Sequence, residues 1–311
     1  MTTRLFVTGG SGFVGGHLAT HVAAARPDVF LVDAPEFDLN QRSSLDLALE
    51  AARPDWVVHL AAQSAVPQSF ADPRGTYEVN FLGTLNLLEA LAARSFDGRL
   101  LFVGSGDAYG RVADADLPVR ETLPLRPRNP YAVSKAAAEA LCYQWSQTGP
   151  FEIVITRLFN SLGTGQSPRF AVADFAQRIA DIATGRAPPR LVTGDLDVTR
   201  DFTDVRDVVR AYRLLAERGA AGQIYNVSSG HSISAADQIA LLNELIAPTV
   251  IDHAVDPARV RAHEVMDLCG ANDRIRADTS WEPEIPFRQT MLDTLRWWEH
   301  ELRESATGVR H

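Results

Sequence analysis

The stretch Leu5-Phe-Val-Thr-Gly-Gly-Ser-Gly-Phe-Val-Gly15 decides the fold class of this chain. An apolar run is followed by a glycine at every third position and then by a helical pattern around His17. A strand, a glycine-rich turn and a helix in this order are typical of the first unit of a dinucleotide-binding fold, in which phosphates lie at the helix N-terminus. Such a turn also fits a purely structural role. Its position here favours pyrophosphate contacts from Gly9, Gly12, Phe13, Val14 and Gly15.

Short apolar runs alternate with helical patterns along the first half of the chain. Continuous apolar runs are typical of strands that are buried on both faces of a parallel sheet. The predicted strands are Leu5–Thr8, Val29–Val32, Phe37–Leu39, Trp56–Leu60, Leu100–Val103 and Phe151–Ile155. Strand–helix repeats joined by right-handed crossovers give a doubly wound (Rossmann) α/β fold.

The pattern loosens after residue 160, where loops rich in glycine and proline separate shorter elements. We therefore predict a dinucleotide-binding domain over residues 1–160 and a smaller C-terminal α/β lobe over residues 161–311, which mainly binds the substrate. No shift in composition marks a linker between them. The run 223–229 is predicted to be a later strand that returns to the first sheet.

The composition excludes several classes of protein. The net charge of −9 argues against nucleic acid as a partner, since a nucleic-acid backbone requires a basic face. Two cysteines give no disulfide framework. No apolar run approaches the ~20 residues of a membrane span, and the chain starts on a strand instead of a leader, so we expect a cytoplasmic protein. His17 and His21 share a helix face without a third ligand, so no metal site is predicted.

An acidic residue follows the second predicted strand. Asp33 lies 24 residues beyond Gly9, close to the offset of about 20 residues at which a carboxylate binds the adenosine ribose hydroxyls of a dinucleotide. A carboxylate there repels a 2′-phosphate, so NAD(H) is slightly favoured over NADP(H), although Asp33 also suits a simple turn. Further cofactor contacts are predicted from Asp38, Leu39, Leu60, Ala61, Ala62 and Leu158.

A tyrosine and a lysine four residues apart follow Pro130, which suits the first turn of a helix. Residues i and i+4 share one helix face, so the Tyr131 phenol and the Lys135 ammonium point to the same place. A phenol transfers protons poorly at neutral pH unless a nearby cation lowers its pKa, and Lys135 is predicted to supply that cation. Ser105 follows an apolar strand, at the edge where such sheets bind ligands. These three residues predict catalytic proton transfer to a reacting oxygen, with Tyr131 and Lys135 also contacting the cofactor.

Together these motifs resemble the extended short-chain dehydrogenase/reductase family. The resemblance covers residues 1 to about 300 and includes the glycine loop, Ser105, Tyr131, Lys135, Asn80-x-x-Gly-Thr84 and Arg157-Leu-Phe-Asn160. It implies a reaction on a nucleotide-diphospho-sugar. It also implies a homodimer joined by the helices over residues 80–93 and 131–146, although their apolar faces equally suit a core.

Asp107 helps to indicate which branch of this family the chain resembles. The family's dehydratases carry a glutamate base two positions after the serine or threonine, and the glucose type also has an aspartic acid between them. Here Gly106 takes the place of that acid, and Asp107 is one methylene shorter than the base. The resemblance therefore disfavours dehydration. Asp107 is predicted either to act in catalysis or to orient the substrate.

Three later stretches, residues 157–180, 198–208 and 281–287, resemble the bacterial reductases of GDP-4-keto-6-deoxymannose. The resemblance implies reduction of the 4-keto group to give GDP-D-rhamnose. It departs at Ser161, where a histidine is usual, and at Thr164, where a proline is usual. The predicted substrate contacts are Ser105, Asn160, Arg200, Arg261 and Glu264. The two arginines suit a diphosphate, and Glu264 fits a surface salt bridge equally well.

Two other functions are open at this point. An NAD-dependent nucleotide-sugar epimerase or 4,6-dehydratase would regenerate its cofactor, whereas a reductase consumes NAD(P)H, so stoichiometry separates them. A redox sensor that binds NAD(P) without catalysis would be expected to lack Tyr131 or Lys135, and both are present.

Overall fold

The structure is a computed structural model that describes residues 2–257 and 267–307. Its strands are β1 Thr3–Thr8, β2 Val29–Leu31, β3 Trp56–His59, β4 Arg99–Ser105, β5 Glu152–Leu158, β6 Asn160–Leu162, β7 Arg190–Thr193, β8 Thr199–Asp204, β9 Ile224–Val227, β10 Ser232–Ser234 and β11 Asp252–Val255. Its α-helices are α1 Phe13–Ala25, α2 Arg42–Ala52, α3 Val66–Ala71, α4 Pro73–Tyr77, α5 Gly83–Ala93, α6 Pro130–Thr148, α7 Ala171–Ala183, α8 Val205–Arg218, α9 Ala235–Leu245, α10 Asp273–Thr279 and α11 Phe287–Thr307. A π-helical segment, Glu78–Leu82, joins α4 to α5, and 3₁₀ turns cover Gly106–Tyr109 and Asp114–Asp116.

A parallel sheet of six strands forms the centre of the fold, in the order β2-β1-β3-β4-β5-β9. Its side chains alternate between two apolar clusters, one on each face. On β4, Leu100 and Phe102 enter the first cluster with α2, α5 and α6, whereas Leu101 and Val103 enter the second with α1, α8 and α10. Burial on both faces explains why these strands read as continuous apolar runs. The predicted doubly wound α/β fold is confirmed.

Two strand predictions have opposite outcomes. The strand predicted over 223–229 is confirmed as β9, which pairs with β5 in the main sheet. The strand predicted at Phe37–Leu39 is wrong. Asp38 N–H donates to the Ser44 hydroxyl at 3.1 Å, and the Asp38 carbonyl accepts from Gln41 N–H at 2.9 Å. Because both backbone groups of Asp38 belong to the turn that leads into α2, they cannot join a sheet ladder, and β2 is the edge strand.

The smaller sheets and a third apolar cluster lie in the C-terminal part of the chain. β10, β8 and β6 form a three-stranded sheet, and β11 pairs with β7. The third cluster receives Ile179 from α7, Leu242 from α9 and Leu295 from α11. In contrast, α8 and α10 pack on the main sheet, so the chain returns to the first lobe after residue 160. The domain boundary at residue 160 stays a prediction. Within the described residues, no helix combines the length and the apolar composition that crossing a membrane requires.

Candidate active site

The carboxyl ends of the parallel strands bring most of the predicted site residues to one edge of the sheet. Thr8 on β1 aligns with His59 on β3, and Ser105 on β4 aligns with Leu158 on β5. The glycine loop after β1, residues Leu60–Ala62 after β3 and the 3₁₀ turn after β4 therefore share this edge. In doubly wound sheets, ligands bind at this edge.

Close backbone approaches shape the glycine loop. Gly9 has a φ of +73°, and a Cβ on it would lie 2.8 Å from the Ala61 nitrogen. A Cβ on Gly15 would collide with the carbonyl oxygens of Gly9 and Gly10. Gly12 is the N-cap of α1 and has no side chain to cap it, so the first turn of the helix keeps backbone N–H donors for an anion. The loop therefore fits the pyrophosphate of a dinucleotide.

Several of the apolar residues predicted to contact the cofactor share one apolar cluster or contact this loop. Val14, Leu60 and Leu158 all pack against the second apolar cluster, although they come from three separate parts of the chain. Ala61 is in direct reach of Gly9. The Phe13 ring contacts His17 edge-on, with 5.3 Å between ring centroids. The structure thus places Leu60 and Ala61 against the glycine loop, whereas Leu158 shares only the apolar cluster with them.

The segment after β2 is acidic and mostly exposed. Asp33 and Asp38 are exposed, and the Asp38 carboxylate accepts from Asn40 N–H at 2.9 Å. Leu39 is buried, and its carbonyl accepts from the Asn86 side chain at 2.8 Å. Asp38 and Leu39 therefore form a turn at the start of α2 instead of a strand end.

Tyr131 lies in the first turn of α6, which begins where the Asn129 side chain accepts from Ala132 N–H at 2.7 Å. Ser105 ends β4, and its hydroxyl accepts from Asp107 N–H at 3.2 Å. Burial and the negative charge of Asp107 raise the pKa of Tyr131, and side-chain hydrogen bonding with Ser105 offsets part of that rise. The phenol is therefore protonated at neutral pH and lies against the Ser105 hydroxyl.

Lys135 lies one turn further along α6 and is the one lysine in the whole sequence. Its side chain is buried and donates to the Val103 carbonyl at 2.8 Å. Burial lowers the pKa of Lys135 to about 8. Burial has the largest effect on the Tyr131 pKa and the charge of Asp107 adds to it, so the lowering of that pKa by Lys135 stays a prediction.

Asp107 lies in the 3₁₀ turn after β4 and is half-buried. The preceding residue, Gly106, packs against the Phe159 ring, which lies 3.1 Å from where a Cβ would be. The ring therefore occupies the space into which an acidic side chain at position 106 would project. The turn carries one acid, Asp107, and its charge acts on Tyr131.

The predicted substrate residues Asn160 and Arg200 lie on β6 and β8, which are paired strands of the three-stranded sheet. Asn160 Nδ2 donates to the Asp201 carbonyl at 3.0 Å, and Arg200 Nη1 donates to the Thr199 carbonyl at 2.7 Å. Because β6 starts directly after β5, this small sheet adjoins the candidate site. Arg261 and Glu264 lie outside the described residues.

A series of buried hydrogen bonds lies below this edge, and the sequence analysis does not predict it. His59 Nε2 lies 3.0 Å from the Thr84 hydroxyl, and Nδ1 lies 2.6 Å from the Thr8 hydroxyl. Thr84 donates its own proton to the Asn80 carbonyl, so His59 donates from Nε2 and accepts at Nδ1. Thr8 in turn accepts from Ala61 N–H at 3.2 Å. Burial lowers the pKa of His59 to about 3, so the ring is neutral.

The same series of hydrogen bonds extends to α6, the helix that carries Tyr131. Asn80, in the π-helical segment, donates through Nδ2 to the Gln63 carbonyl and to the Ser134 hydroxyl, both at 2.9 Å. Ser134 donates to the Tyr131 carbonyl at 2.7 Å. The start of α6 is thereby fixed to the loop after β3. The sequence signal for these hydrogen bonds is a histidine inside an otherwise apolar strand, because a buried imidazole needs hydrogen-bond partners.

A pyrophosphate cradle beside a protonated tyrosine, a serine and a buried lysine, all at the carboxyl edge of a parallel sheet, defines an NAD(P)-dependent oxidoreductase of the short-chain type. The chain belongs to the NAD dependent epimerase/dehydratase family, whose family model matches residues 5–228. This membership confirms the predicted family.

Two known proteins and one solved structure are similar to this chain over nearly its full length. The chain is 47% identical over 306 residues to the GDP-6-deoxy-D-mannose reductase of Pseudomonas aeruginosa, covering 98% of this chain and 100% of that protein. It is 29% identical to the dTDP-glucose 4,6-dehydratase of Neisseria meningitidis serogroup B, covering 97% of each. The solved structure of RMD from Pseudomonas aeruginosa complexed with NADPH superimposes with a TM-score of 0.92 at 44% identity, covering 96% of this chain and 100% of that one.

Proposed function

We propose that this protein reduces the 4-keto group of GDP-4-keto-6-deoxymannose with NAD(P)H and forms GDP-D-rhamnose. The observation that carries this proposal is the placement of Ser105 and a protonated Tyr131 at the edge that holds the glycine cradle. The full-length identity of 47% with a GDP-6-deoxy-D-mannose reductase supports the choice of nucleotide and sugar.

Tyr131 is the proton donor in this reaction. When bound, the cofactor supplies the hydride for the ketone carbon. As negative charge develops on the ketone oxygen, the Tyr131 phenol gives it a proton and the Ser105 hydroxyl donates a hydrogen bond. Burial keeps the phenol protonated beforehand, which suits a reduction because the acid must carry its proton when the ketone arrives.

Other residues near Tyr131 would bind the cofactor and the nucleotide sugar. Lys135 is placed to hold the nicotinamide ribose, since its ammonium is buried at the carboxyl edge of β4. Asn160 and Arg200 adjoin the site from the small sheet and would contact the sugar and the diphosphate. Arg261 and Glu264 stay predictions for the same ligand.

Asp107 argues against the dehydratase alternative. A dehydratase needs a base near the sugar and an acid for the leaving hydroxyl. Here the Phe159 ring lies against Gly106, where the acid of the glucose-type dehydratases would be, and Asp107 is the one acid of the turn. We propose that Asp107 keeps Tyr131 protonated and orients the substrate.

The loop after β2 favours NAD(H) over NADP(H). Asp33, Glu36 and Asp38 are all exposed on this loop and would repel a 2′-phosphate. The nearest cation along the chain, Arg42, is bound to Asp46 at 3.0 Å and to Glu89 at 3.3 Å. NADPH, which is the cofactor in the solved RMD complex, is the other candidate.

We propose a homodimer for the assembly. Phe70 on α3, Leu82 in the π-helical segment, and Val133 and Tyr143 on α6 are exposed. Exposed apolar side chains on helices that pack together suit an interface with a second copy. Light scattering at micromolar concentration gives the mass that tests it. The expected cytoplasmic location remains a prediction.

The test of the proposed function follows the absorbance of reduced nicotinamide. GDP-4-keto-6-deoxymannose is mixed with the protein and either NADH or NADPH, and the dTDP-linked 4-keto sugar serves as the control substrate. Oxidation with the GDP-linked ketone, faster with NADH, is expected. Oxidation with the dTDP-linked ketone alone would contradict the assigned nucleotide, and no oxidation with either would contradict the reductase assignment.

A further inference from the structure

One side-chain contact joins the helix of the cofactor loop to the C-terminal lobe. His17 Nε2, on α1, lies 2.9 Å from the carbonyl oxygen of Thr164. A carbonyl only accepts, so Nε2 carries the hydrogen and His17 donates. Thr164 follows β6, the strand that carries Asn160. The contact therefore connects the two parts of the chain to which the cofactor and the nucleotide sugar are assigned.

The segment that His17 holds is a tight turn over residues 163–166. Gln166 N–H donates to the Gly163 carbonyl at 3.4 Å, and Gly165 has a φ of +82°. This is the arrangement of a type II turn, whose third residue requires a positive φ. A Cβ on Gly165 would meet nothing within 4 Å. Glycine is therefore required here by the backbone conformation and not by a lack of space for a side chain.

The orientation of the Thr164 carbonyl distinguishes a type II turn from a type I turn. The dihedral angles of the two types differ mainly by rotation of the central peptide, here the one between Thr164 and Gly165. A hydrogen bond to the Thr164 carbonyl therefore selects one orientation of this peptide. Gln166 is buried and its side chain donates to the Ser161 carbonyl at 2.9 Å, which fixes the base of the turn and leaves the central peptide to His17.

The other side of His17 faces the cofactor loop. Phe13 is the first residue of α1, directly after Gly12, and its ring packs edge-on against the His17 imidazole. Phe13 Cζ would also lie 3.6 Å from a Cβ on Gly163. A phosphate bound to the first turn of α1 would therefore fix the residue that supports both His17 and the start of the turn.

We propose that His17 is a positioning residue that couples the two ligands, so that a bound dinucleotide and a bound nucleotide sugar strengthen each other's binding. The proposal rests on the proposed function, because it takes the turn over residues 163–166 to border the sugar site. Such coupling is reciprocal by thermodynamic linkage. A single hydrogen bond of this kind corresponds to roughly a three- to tenfold change in affinity.

The experiment measures the dissociation constant of GDP-mannose by calorimetry, with and without saturating NADH. GDP-mannose has no ketone, so no turnover occurs. In the wild type, NADH is expected to tighten GDP-mannose about three- to tenfold. In H17A the ratio of the two constants should fall to about one, while the affinity for NADH alone stays within about twofold. H17Q keeps an N–H at a similar reach and should restore most of the ratio.

His21 provides the matched control on the same helix. Its Nε2 accepts from Arg213 Nε at 3.1 Å, a contact within the first lobe, so H21A should keep the wild-type ratio. A ratio in H17A equal to that of the wild type would overturn the coupling proposal, as would a ratio of one in the wild type. Failure of the wild type to bind GDP-mannose at all would instead overturn the proposed function, and the coupling proposal with it.

Discussion

Arg157 on β5 binds Glu139 on α6 through two hydrogen bonds, 2.8 Å from Nε and 2.6 Å from Nη2, and both side chains are buried. The remaining nitrogen, Nη1, donates to the Tyr109 hydroxyl at 2.7 Å. Glu139 lies about two helical turns beyond Tyr131, and Tyr109 ends the turn that carries Asp107. One buried ion pair therefore holds α6, which carries Tyr131, and the Asp107 turn against the same strand.

Removing Arg157 should destabilise the fold. R157M leaves the Glu139 carboxylate buried and unpaired, so the free energy of unfolding is expected to fall by about 3–5 kcal/mol. Urea unfolding followed by circular dichroism measures this loss. The control is R120Q, which breaks the exposed ion pair with Asp273, 2.9 Å long, and should cost less than about 1 kcal/mol. Equal losses in the two variants would remove the structural role assigned to Arg157.

Replacing Tyr131 by phenylalanine should stop proton donation and little else. Loss of a general acid corresponds to a decrease in kcat of roughly a hundred- to ten-thousandfold. The dissociation constant for NADH should stay within about twofold, since only the hydroxyl is removed. Y143F removes only the hydroxyl of an exposed tyrosine of the same helix and keeps the ring for the proposed dimer interface, so it should keep full activity. Undiminished turnover in Y131F would exclude Tyr131 as the donor.

His59 should make the fold sensitive to acid. Its pKa is lowered from 6.5 to about 3 by burial, so between these values the unfolded chain binds a proton that the folded chain does not. The stability due to neutral His59 is therefore present above pH 6.5 and is lost as the pH falls, by up to about 1.4 kcal/mol per pH unit.

The measurement compares urea unfolding of the wild type and H59Q at several pH values within that window. H59Q should be less stable at neutral pH and should show a flatter profile toward acid. H300Q, at an exposed histidine, should follow the wild type. Parallel profiles for the wild type and H59Q would contradict a neutral, buried His59.

Lys135 should titrate well below an ordinary lysine. Burial lowers its pKa from 10.5 to about 8, so the ammonium is present below that pH and is lost as the pH rises through it. Because the sequence has one lysine, ¹³C-lysine labelling gives a single lysine spectrum in NMR. Its signal should titrate near pH 8 in the folded protein and near 10.5 in urea. A folded-state midpoint near 10.5 would contradict the burial of the charged group.

The glycine loop and the Tyr131 helix could be predicted from sequence because both depend on local spacing. Gly9 and Gly12 occur in the order that a strand–turn–helix unit requires, and Lys135 follows Tyr131 by one helical turn. The strand at Phe37–Leu39 fails for a local reason as well. The backbone groups of Asp38 make the hydrogen bonds of the turn before α2. A run of three residues is too short for its pattern to distinguish a strand from a turn.

The contacts that position the site could not be predicted in this way, because each joins distant parts of the chain. Arg157 and Glu139 meet only once β5 and α6 pack together. The protonation state of Tyr131 depends on how deeply the phenol is buried, which spacing does not reveal.

The most direct test of the account is the stoichiometry of a single reaction mixture. Limiting GDP-4-keto-6-deoxymannose is incubated with the protein and excess NADH, and both the NADH oxidised and the sugar product are quantified. One NADH consumed per sugar, with GDP-D-rhamnose as the product, is the expected result. Conversion of the sugar without net consumption of NADH would contradict the reductase and would identify an epimerase or dehydratase that regenerates its cofactor.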